Sequence, residues 1–309
     1  MTAPEIHPEL QYILDAAPSR PLLGHKTLAE FRATGLSVDP KPHFPNALPP
    51  IRHQIDGQSG PVDVYEFRPS HAPNASAALL WCHGGGYVTG HGNDAWFGAL
   101  FAEAAGVRVF SVDYRLAPEH PFPAARDDCW DALLFLASES SSLGIDPSRI
   151  AIGGASAGGG LAAGLAIHNR DQNGPKLAFQ LLLYPMLDHT HDTASGHMNV
   201  PRWPRANSMQ AWEMYHADTQ PHPTSAPAMA KNLTDLPPAF LSIGTADLFL
   251  DEVRQFAAHL DAAGVVQSLK TYPGVFHAAE MQGYETEIGG RMTRDYISAL
   301  ATALSSTAR

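Results

Sequence analysis

The sequence has few cysteines, few charged residues and no excess of basic residues, and each shortage excludes a class of protein. Its 309 residues include only two cysteines, Cys82 and Cys129. Two cysteines cannot form a disulfide framework, and a reducing compartment is the simpler interpretation, so we predict a cytoplasmic protein. Charged residues make up 17% of the chain, and the net charge is −11. This balance excludes nucleic acids and anionic membranes as partners, because both require a concentrated positive surface.

Long hydrophobic segments are also absent. The longest apolar stretch runs over residues 177–187. It is far shorter than the roughly 20 residues that a membrane-spanning helix needs. The N-terminus has neither a basic region nor an apolar run of about seven residues, so we expect no signal peptide. These absences predict a soluble globular protein without a membrane partner.

Glycine and proline are abundant, with 26 residues of each. From about residue 77 onward they separate short apolar strands from amphipathic helices in a repeating order. The predicted strands are 77–82, 107–112, 149–152, 179–184, 238–243 and 265–272, and the predicted helices are 94–105, 124–139, 157–170, 250–262 and 283–304. This alternation is typical of an α/β fold, a mostly parallel, doubly wound sheet with helices on both faces. Ligands bind such sheets at the carboxyl ends of the strands.

A glycine-rich turn at the end of the strand at 149–152 carries the first chemical signal. Gly154, Ser156 and Gly158 form the pattern Gly-x-Ser-x-Gly between this strand and the next helix. The pattern indicates a nucleophile elbow, in which a strained turn exposes the serine hydroxyl at a helix N-terminus. An ordinary glycine-rich turn with an incidental serine is the structural alternative. A loose dinucleotide fingerprint also starts at Gly158, but it begins inside the helix rather than in the turn that a dinucleotide needs.

A second glycine run follows the strand at 77–82 and begins directly after His83. When a serine attacks an ester carbonyl, negative charge develops on the carbonyl oxygen. Backbone N–H groups already fixed at that position accelerate the attack by about 10²–10³ each. We expect the N–H groups of Gly84, Gly85 and Ala157 to form this oxyanion hole.

The order of residues along the chain selects the base and the acid, because in this kind of site the acid follows the serine and the histidine comes last. Only His259 and His277 lie late enough in the sequence. His259 falls within a predicted helix, where a solvated surface role is expected, whereas His277 follows the last strand and is the predicted base. Asp247 lies closer to a strand end than Asp251 and is the predicted acid. We interpret Asp251 as a helix cap.

These motifs together resemble the hormone-sensitive-lipase family of α/β-hydrolases, the bacterial family IV carboxylesterases. The matching segments are 83–87, 113–125, 154–159, 184–188, 236–238, 247–251 and 272–274. The resemblance implies a serine carboxylesterase that hydrolyses short- to medium-chain acyl esters through an acyl-enzyme intermediate. It implies a Ser156–Asp247–His277 catalytic triad, a structural role for His83, and no cofactor or metal.

The resemblance also implies an α/β-hydrolase fold with a helical cap. Residues 1–45 would be an N-terminal cap segment, residues 46–309 the catalytic domain, and residues 188–216 an additional cap insert. A homodimer is a further expectation, since family members often pair through the edge of the last strand. The chain departs from the family pattern at Ala155, Leu248 and the Ala278-Ala279 pair, none of which belongs to the triad.

Other activities are compatible with the same residues. An amidase, a lactonase or an acyltransferase would use the same triad, whereas a non-catalytic ligand-binding protein on this scaffold would lose the base that His277 supplies. The segment 188–192 holds two histidines and two aspartates, but no third fixed partner for a metal is evident. We therefore predict a loop of solvated histidines there and no metal site.

Two structural roles are also predicted. Asp113 and Arg115 are expected to pair behind the oxyanion loop. Met209, Trp212 and Tyr215, at helical spacing, form either the core of the 188–216 insert or one wall of the acyl pocket, and the sequence does not distinguish these two roles.

Overall fold

The computed structural model describes residues 3–17, 21–34, 38–72, 74 and 76–305. Within these residues one sheet holds eight strands, in the spatial order β1-β2-β4-β3-β5-β6-β7-β8. The strands are β1 Ile51–Gly57, β2 Gly60–Phe67, β3 Ala78–Cys82, β4 Arg108–Asp113, β5 Ile150–Ala155, β6 Phe179–Leu183, β7 Ala239–Gly244 and β8 Gln267–Tyr272. β2 pairs antiparallel with β1 and with β4, and the other neighbours run parallel. The sheet is therefore mostly parallel, as predicted.

Helices cover both faces of this sheet. They are α1 Gln11–Asp15, α2 Leu28–Ala33, α3 Ala95–Ala105, α4 Ala124–Ser138, α5 Ser140–Leu143, α6 Ala157–Asp171, α7 Arg205–His216, α8 Leu250–Ala262, α9 Ala279–Gln282 and α10 Glu287–Ala303. α4 packs against α6 in one layer, and α3 packs against α10 in the other. Every residue of β3, β5, β6 and β7 is buried between the layers, which explains why these strands are mostly apolar.

The last predicted helix, residues 283–304, corresponds to α10, Glu287–Ala303, and α9 precedes it as a separate short helix. α9 ends at Gln282 and α10 begins at Glu287, where the Thr286 hydroxyl accepts a hydrogen bond from the N–H of Gly289 at 3.1 Å. Threonine is a strong N-cap residue, and this cap explains why α10 begins four residues later than predicted.

The two cysteines meet in the core rather than at the surface. Cys82 ends β3 and Cys129 lies on α4, and their sulfur atoms are 3.7 Å apart without a bond between them. Both side chains are fully buried. Burial raises the pKa of the Cys129 thiol well above its ordinary value. The thiols are therefore packing groups of the interface between sheet and helix.

The N-terminal segment packs against the insert at 188–216. The Phe31 ring lies 6.3 Å from the Trp203 ring, and the N–H of Leu23 donates to Oδ1 of Asn207 at 2.9 Å. Residues 1, 2, 18–20 and 35–37 of the predicted cap segment lie outside the described residues. The described parts bring the two sequence regions assigned to the cap into contact with each other.

Candidate active site

The predicted nucleophile lies in a strained turn between β5 and α6. Ser156 has φ 58° and ψ −124°, a conformation that non-glycine residues rarely adopt and that is typical of functional sites. The flanking glycines are sterically required. A Cβ atom on Gly158 would overlap the carbonyl oxygen of Cys82, and one on Gly154 would overlap the carbonyl oxygen of Gly158. The Gly-x-Ser-x-Gly pattern therefore lets strand and helix pass at a distance that only glycine allows.

Three predicted site residues meet in one chain of hydrogen bonds. Nε2 of His277, in the loop after β8, lies 2.8 Å from Oγ of Ser156. Nδ1 of the same ring lies 2.8 Å from Oδ2 of Asp247, which follows β7. All three side chains are buried, and Oδ1 of Asp247 also accepts the N–H of Phe249 at 3.0 Å. The parallel strands explain this meeting, because their carboxyl ends lie at the same edge of the sheet.

The predicted oxyanion donors surround the serine. Gly84 and Gly85 line the same cavity as Ser156, and Ala157 is the first residue of α6, next to the serine in the chain. In the described part of the chain, none of the three N–H groups donates to a protein acceptor. Donors that are fixed and unpaired can stabilise a developing oxyanion without first breaking another hydrogen bond.

His83 stabilises the glycine loop, residues 84–86, that directly follows it. Its Nδ1 donates to the carbonyl oxygen of Gly84 at 2.8 Å, and its ring stacks on Tyr114 with centroids 4.1 Å apart. Burial lowers the pKa of His83 to about 4, so the ring is neutral near pH 7. A neutral ring with its proton on Nδ1 fixes the loop without placing a charge beside the serine.

A cavity of about 150 Å³ opens over the serine. Most of its lining is apolar or aromatic, and the larger side chains of this lining are Trp81, Phe97, Tyr184, Trp203 and Met281. Asp94 adds a carboxyl group whose pKa is raised by burial. Such a lining suits an uncharged acyl chain.

The helical triplet of the insert does not line the cavity, and its two aromatic members pack on Tyr87, directly after the glycine run, rather than inside the insert. Trp212 and Tyr215 are buried, with Tyr215 stacked on Tyr87 at 3.8 Å between ring centroids. Met209 is 48% exposed. The residue of the insert that lines the cavity is Trp203. It precedes α7 and is not part of the helical triplet.

Two predicted polar roles are wrong. Asp251 is not a helix cap, because it lies inside the first turn of α8 and its Oδ2 accepts the N–H of Ser195 at 2.8 Å. Arg115 does not pair with Asp113. Its guanidinium group contacts both carboxylate oxygens of Asp128 on α4, at 2.8 to 3.1 Å.

The predicted loop of solvated histidines is also wrong. His191 is fully buried, its ring stacks on Phe249, and its Nδ1 lies 3.5 Å from Oε2 of Glu252. Burial lowers the pKa of His191 to about 4. The segment folds back onto α8, which the local sequence does not indicate. No group of three or more potential metal ligands occurs among the residues that the structure describes.

One pair of side chains beside the triad was missed at the sequence level. The Tyr184 hydroxyl donates to Oε1 of Glu280 at 2.7 Å, and both residues are buried directly behind His277. Burial raises the pKa of Glu280 to about 7. The only sequence signal was an acidic residue three positions after the predicted base.

The fold and the site described above are typical of α/β-hydrolases, and comparison with known sequences agrees with this class. Residues 79–281 match the model of a family with the α/β-hydrolase fold. The chain belongs to this family, as the relatives and structures below also indicate. Among the described residues no helix is long and apolar enough to cross a membrane.

Two of the similar relatives are named esterases. The chain is 36% identical over 272 residues to the esterase LipI of Mycobacterium tuberculosis, covering 85% of this chain and 84% of LipI. It is 35% identical over 288 residues to the carboxylesterase NlhH of the same organism, covering 89% of this chain and 88% of NlhH.

Solved structures agree with this relationship. A bacterial heroin esterase superposes with a TM-score of 0.89 at 33% identity, covering 99% of this chain and all of that one. An esterase of Pyrobaculum calidifontis superposes with a TM-score of 0.85 at 30% identity, covering 96% and 98%. The protein is a carboxylic ester hydrolase of the hormone-sensitive-lipase type.

Proposed function

We propose that this esterase is a serine carboxylesterase in which Ser156, His277 and Asp247 transfer an acyl group in two steps. The supporting observation is the pair of 2.8 Å contacts that join the serine hydroxyl, both imidazole nitrogens and the aspartate at the floor of an apolar cavity. A nucleophile, a base within hydrogen-bond reach and a group that orients the base are what acyl transfer requires.

In the first step His277 Nε2 takes the proton of Ser156 as Oγ bonds to the ester carbonyl carbon. The resulting oxyanion is held by the N–H groups of Gly84, Gly85 and Ala157. The bond to the alcohol oxygen then breaks, and His277 returns the proton to the leaving alcohol. In the second step His277 activates a water molecule, which releases the acid and restores the serine hydroxyl. Asp247 keeps the imidazole in the required tautomer throughout.

The substrate is an ester with a short- to medium-length acyl chain. A cavity of about 150 Å³ accepts a molecule the size of benzene, which corresponds to about six carbon atoms. We expect kcat/KM for p-nitrophenyl esters to be highest at acyl chains of about two to six carbons. A series from acetyl to decanoyl esters measures this, and a maximum at the decanoyl ester would contradict the proposed chain length.

A cap closes the cavity in this proposal, formed by residues 1–45 and 188–216 above the catalytic domain of 46–309. Support comes from the contact between Phe31 and Trp203, since Trp203 also lines the cavity. Replacing Trp203 with alanine is expected to shift the preferred acyl length more than it changes the rate with the acetyl ester.

The decisive test is the nucleophile. Ser156→Ala is expected to lower turnover of p-nitrophenyl acetate by about 10⁴–10⁶. The matched control, Ser138→Ala on the exposed face of α4, should keep full activity. Incubation with a fluorophosphonate should add one label per chain at Ser156, measured by mass spectrometry. Substantial activity in the Ser156→Ala variant would refute the assignment.

A further inference from the structure

A fully buried carboxyl group lies beside the proposed triad and has no role in the reaction above. Glu280 belongs to α9, three residues after His277, and none of its surface is exposed. Its Oε1 accepts the Tyr184 hydroxyl, but within the described residues its Oε2 has no hydrogen-bond partner. Buried polar groups are normally fully paired, because an unpaired one is costly. A half-paired carboxyl group behind a reactive base therefore has to be explained.

Tyr184 connects this carboxyl group to the imidazole. It directly follows β6, and its N–H donates to the carbonyl oxygen of Ser242 on β7 at 2.8 Å. Its ring meets the His277 ring edge-on, with centroids 5.0 Å apart and planes at 73°. The bond to Glu280 fixes the hydroxyl end of the tyrosine. The tyrosine ring in turn limits the rotation of the imidazole. Phe249 also restricts it, because its ring packs on the same imidazole with centroids 5.2 Å apart.

The surroundings of Glu280 allow its charge to change near neutral pH. The ionisable groups that face it, from every element packed around it, are Tyr184, Asp247, Tyr272, His277 and Tyr296. Burial raises the pKa of Glu280 to about 7, against the Tyr184 hydrogen bond and the charge on His277, which favour the carboxylate. No lysine or arginine neutralises the carboxylate among these groups, so His277 is the cation that it would stabilise.

We propose that Glu280 is a positioning residue, which holds His277 through Tyr184 and makes it a stronger base once the carboxyl group is ionised. The inference rests on the proposed function, because it requires His277 to accept the serine proton. A carboxylate near the ring favours the imidazolium that forms in the transition state. As the pH rises, Glu280 loses its proton to solvent, and each turnover then benefits from a second negative charge near the imidazolium.

The test compares the pH dependence of kcat/KM, from pH 5 to 9, in the unchanged protein and in Glu280→Gln. The amide oxygen of glutamine still accepts the Tyr184 hydroxyl, so only the ionisation is removed. We expect the midpoint of the rising limb to move to lower pH by about one unit, because the imidazolium loses a stabilising charge. The plateau above pH 8 should fall by about three- to tenfold. Glu285→Gln, at an exposed position on the same stretch of chain, is the matched control and should leave the profile unchanged.

A second variant separates this role from simple packing. Tyr184→Phe keeps the ring against His277 but removes the hydroxyl that favours ionised Glu280. The ionisation of Glu280 should therefore move to higher pH, and the upper part of the profile should move with it. The measured quantity is the pH midpoint of the kcat/KM profile. A changed fit of the substrate in the cavity alters the height of this profile but not its midpoint.

Two outcomes would overturn the inference. One is a Glu280→Gln profile whose midpoint and plateau match those of the unchanged protein, and the other is a Tyr184→Phe profile that does not shift. Failure of the proposed function has a different signature, because Ser156→Ala and His277→Ala would then remain active. If these two variants are inactive while Glu280→Gln is unchanged, only the role of Glu280 is refuted.

Discussion

At the scale of single residues, the structure distinguishes the two aspartates that could serve as the acid of the proposed triad. Asp247 contacts the imidazole, whereas Asp251 contacts a backbone N–H in the insert. Asp247→Asn is expected to lower kcat/KM for p-nitrophenyl acetate by about 10³–10⁴, because the asparagine amide favours the wrong imidazole tautomer. Asp251→Asn is the matched control and should stay within about threefold of the unchanged protein. Equal losses in the two variants would contradict the assignment of the acid.

Glu280 also predicts how stability depends on pH. Burial raises its pKa to about 7 in the folded chain, above the roughly 4.3 of an unfolded one. A raised pKa means that the fold is favoured below about pH 4.3, and that this contribution is lost as the pH rises towards 7. The loss amounts to at most about 4 kcal/mol.

Glu280→Gln should remove this loss. Its Tm is expected to match that of the unchanged protein near pH 5 and to exceed it by several degrees at pH 8, as measured by calorimetry. A difference in Tm that is the same at both pH values would show that Glu280 does not ionise in this range.

At the scale of secondary-structure elements, β5 and α6 cross the end of β3 so closely that the crossing requires glycine. Gly158→Ala would push a methyl group into the carbonyl oxygens of Cys82 and His83. We expect a loss of about 3 kcal/mol in the free energy of unfolding, measured by urea titration, together with loss of activity.

A glycine elsewhere in the fold gives the control. A Cβ on Gly290, in α10, would meet the flexible end of Arg294 and would lie at an ordinary contact distance of 3.4 Å from the carbonyl oxygen of Tyr284. Gly290→Ala should therefore be neutral or stabilising by up to about 1 kcal/mol. Similar destabilisation of the two variants would mean that the packing at the elbow is not what requires glycine.

The elements show where prediction from sequence succeeds and where it stops. The helix predicted at 250–262 has the same bounds as α8, because its amphipathic pattern is local. The elbow and the glycine loop were also readable, since each needs a particular backbone next to a particular strand end. The partner of Arg115 could not be predicted from the sequence. Asp128 lies on the helix that follows an intervening loop, and nothing in the local sequence favours Asp128 over Asp113.

Long-range packing explains the remaining misses. His191 is polar in sequence and fully buried in the fold, because the insert returns to α8 and covers it. Glu280 carries no motif, and its importance arises only when β6 brings Tyr184 beside it. The candidate triad was predictable because its members follow a chain order, whereas the groups around it are set by tertiary contacts.

At the scale of the whole molecule, the two edges of the sheet, at β1 and at β8, differ in how far their apolar side chains are exposed. β8 is an edge strand, and Val266, directly before it, is 75% exposed. An exposed strand edge pairs readily with a second copy, so the homodimer stays our prediction for this edge. Sedimentation velocity is expected to give the mass of two chains.

Two variants at opposite edges test this arrangement. Val266→Arg should shift the protein towards the single chain without lowering activity per chain. Ile51→Arg, at the β1 edge of the sheet and 41% exposed, should leave the mass unchanged. A mass of one chain for the unchanged protein at every concentration would end the prediction of a dimer.

The buried sulfur contact between Cys82 and Cys129 gives the molecule its own reporter of unfolding. Because the chain has no other thiol, any reaction with a water-soluble thiol reagent must wait until β3 and α4 separate. The rate of labelling in native buffer therefore measures how often the core opens. A single absorbance trace would follow this opening without an added dye or an engineered label. The stability variants described above could be ranked with this chemistry in native buffer.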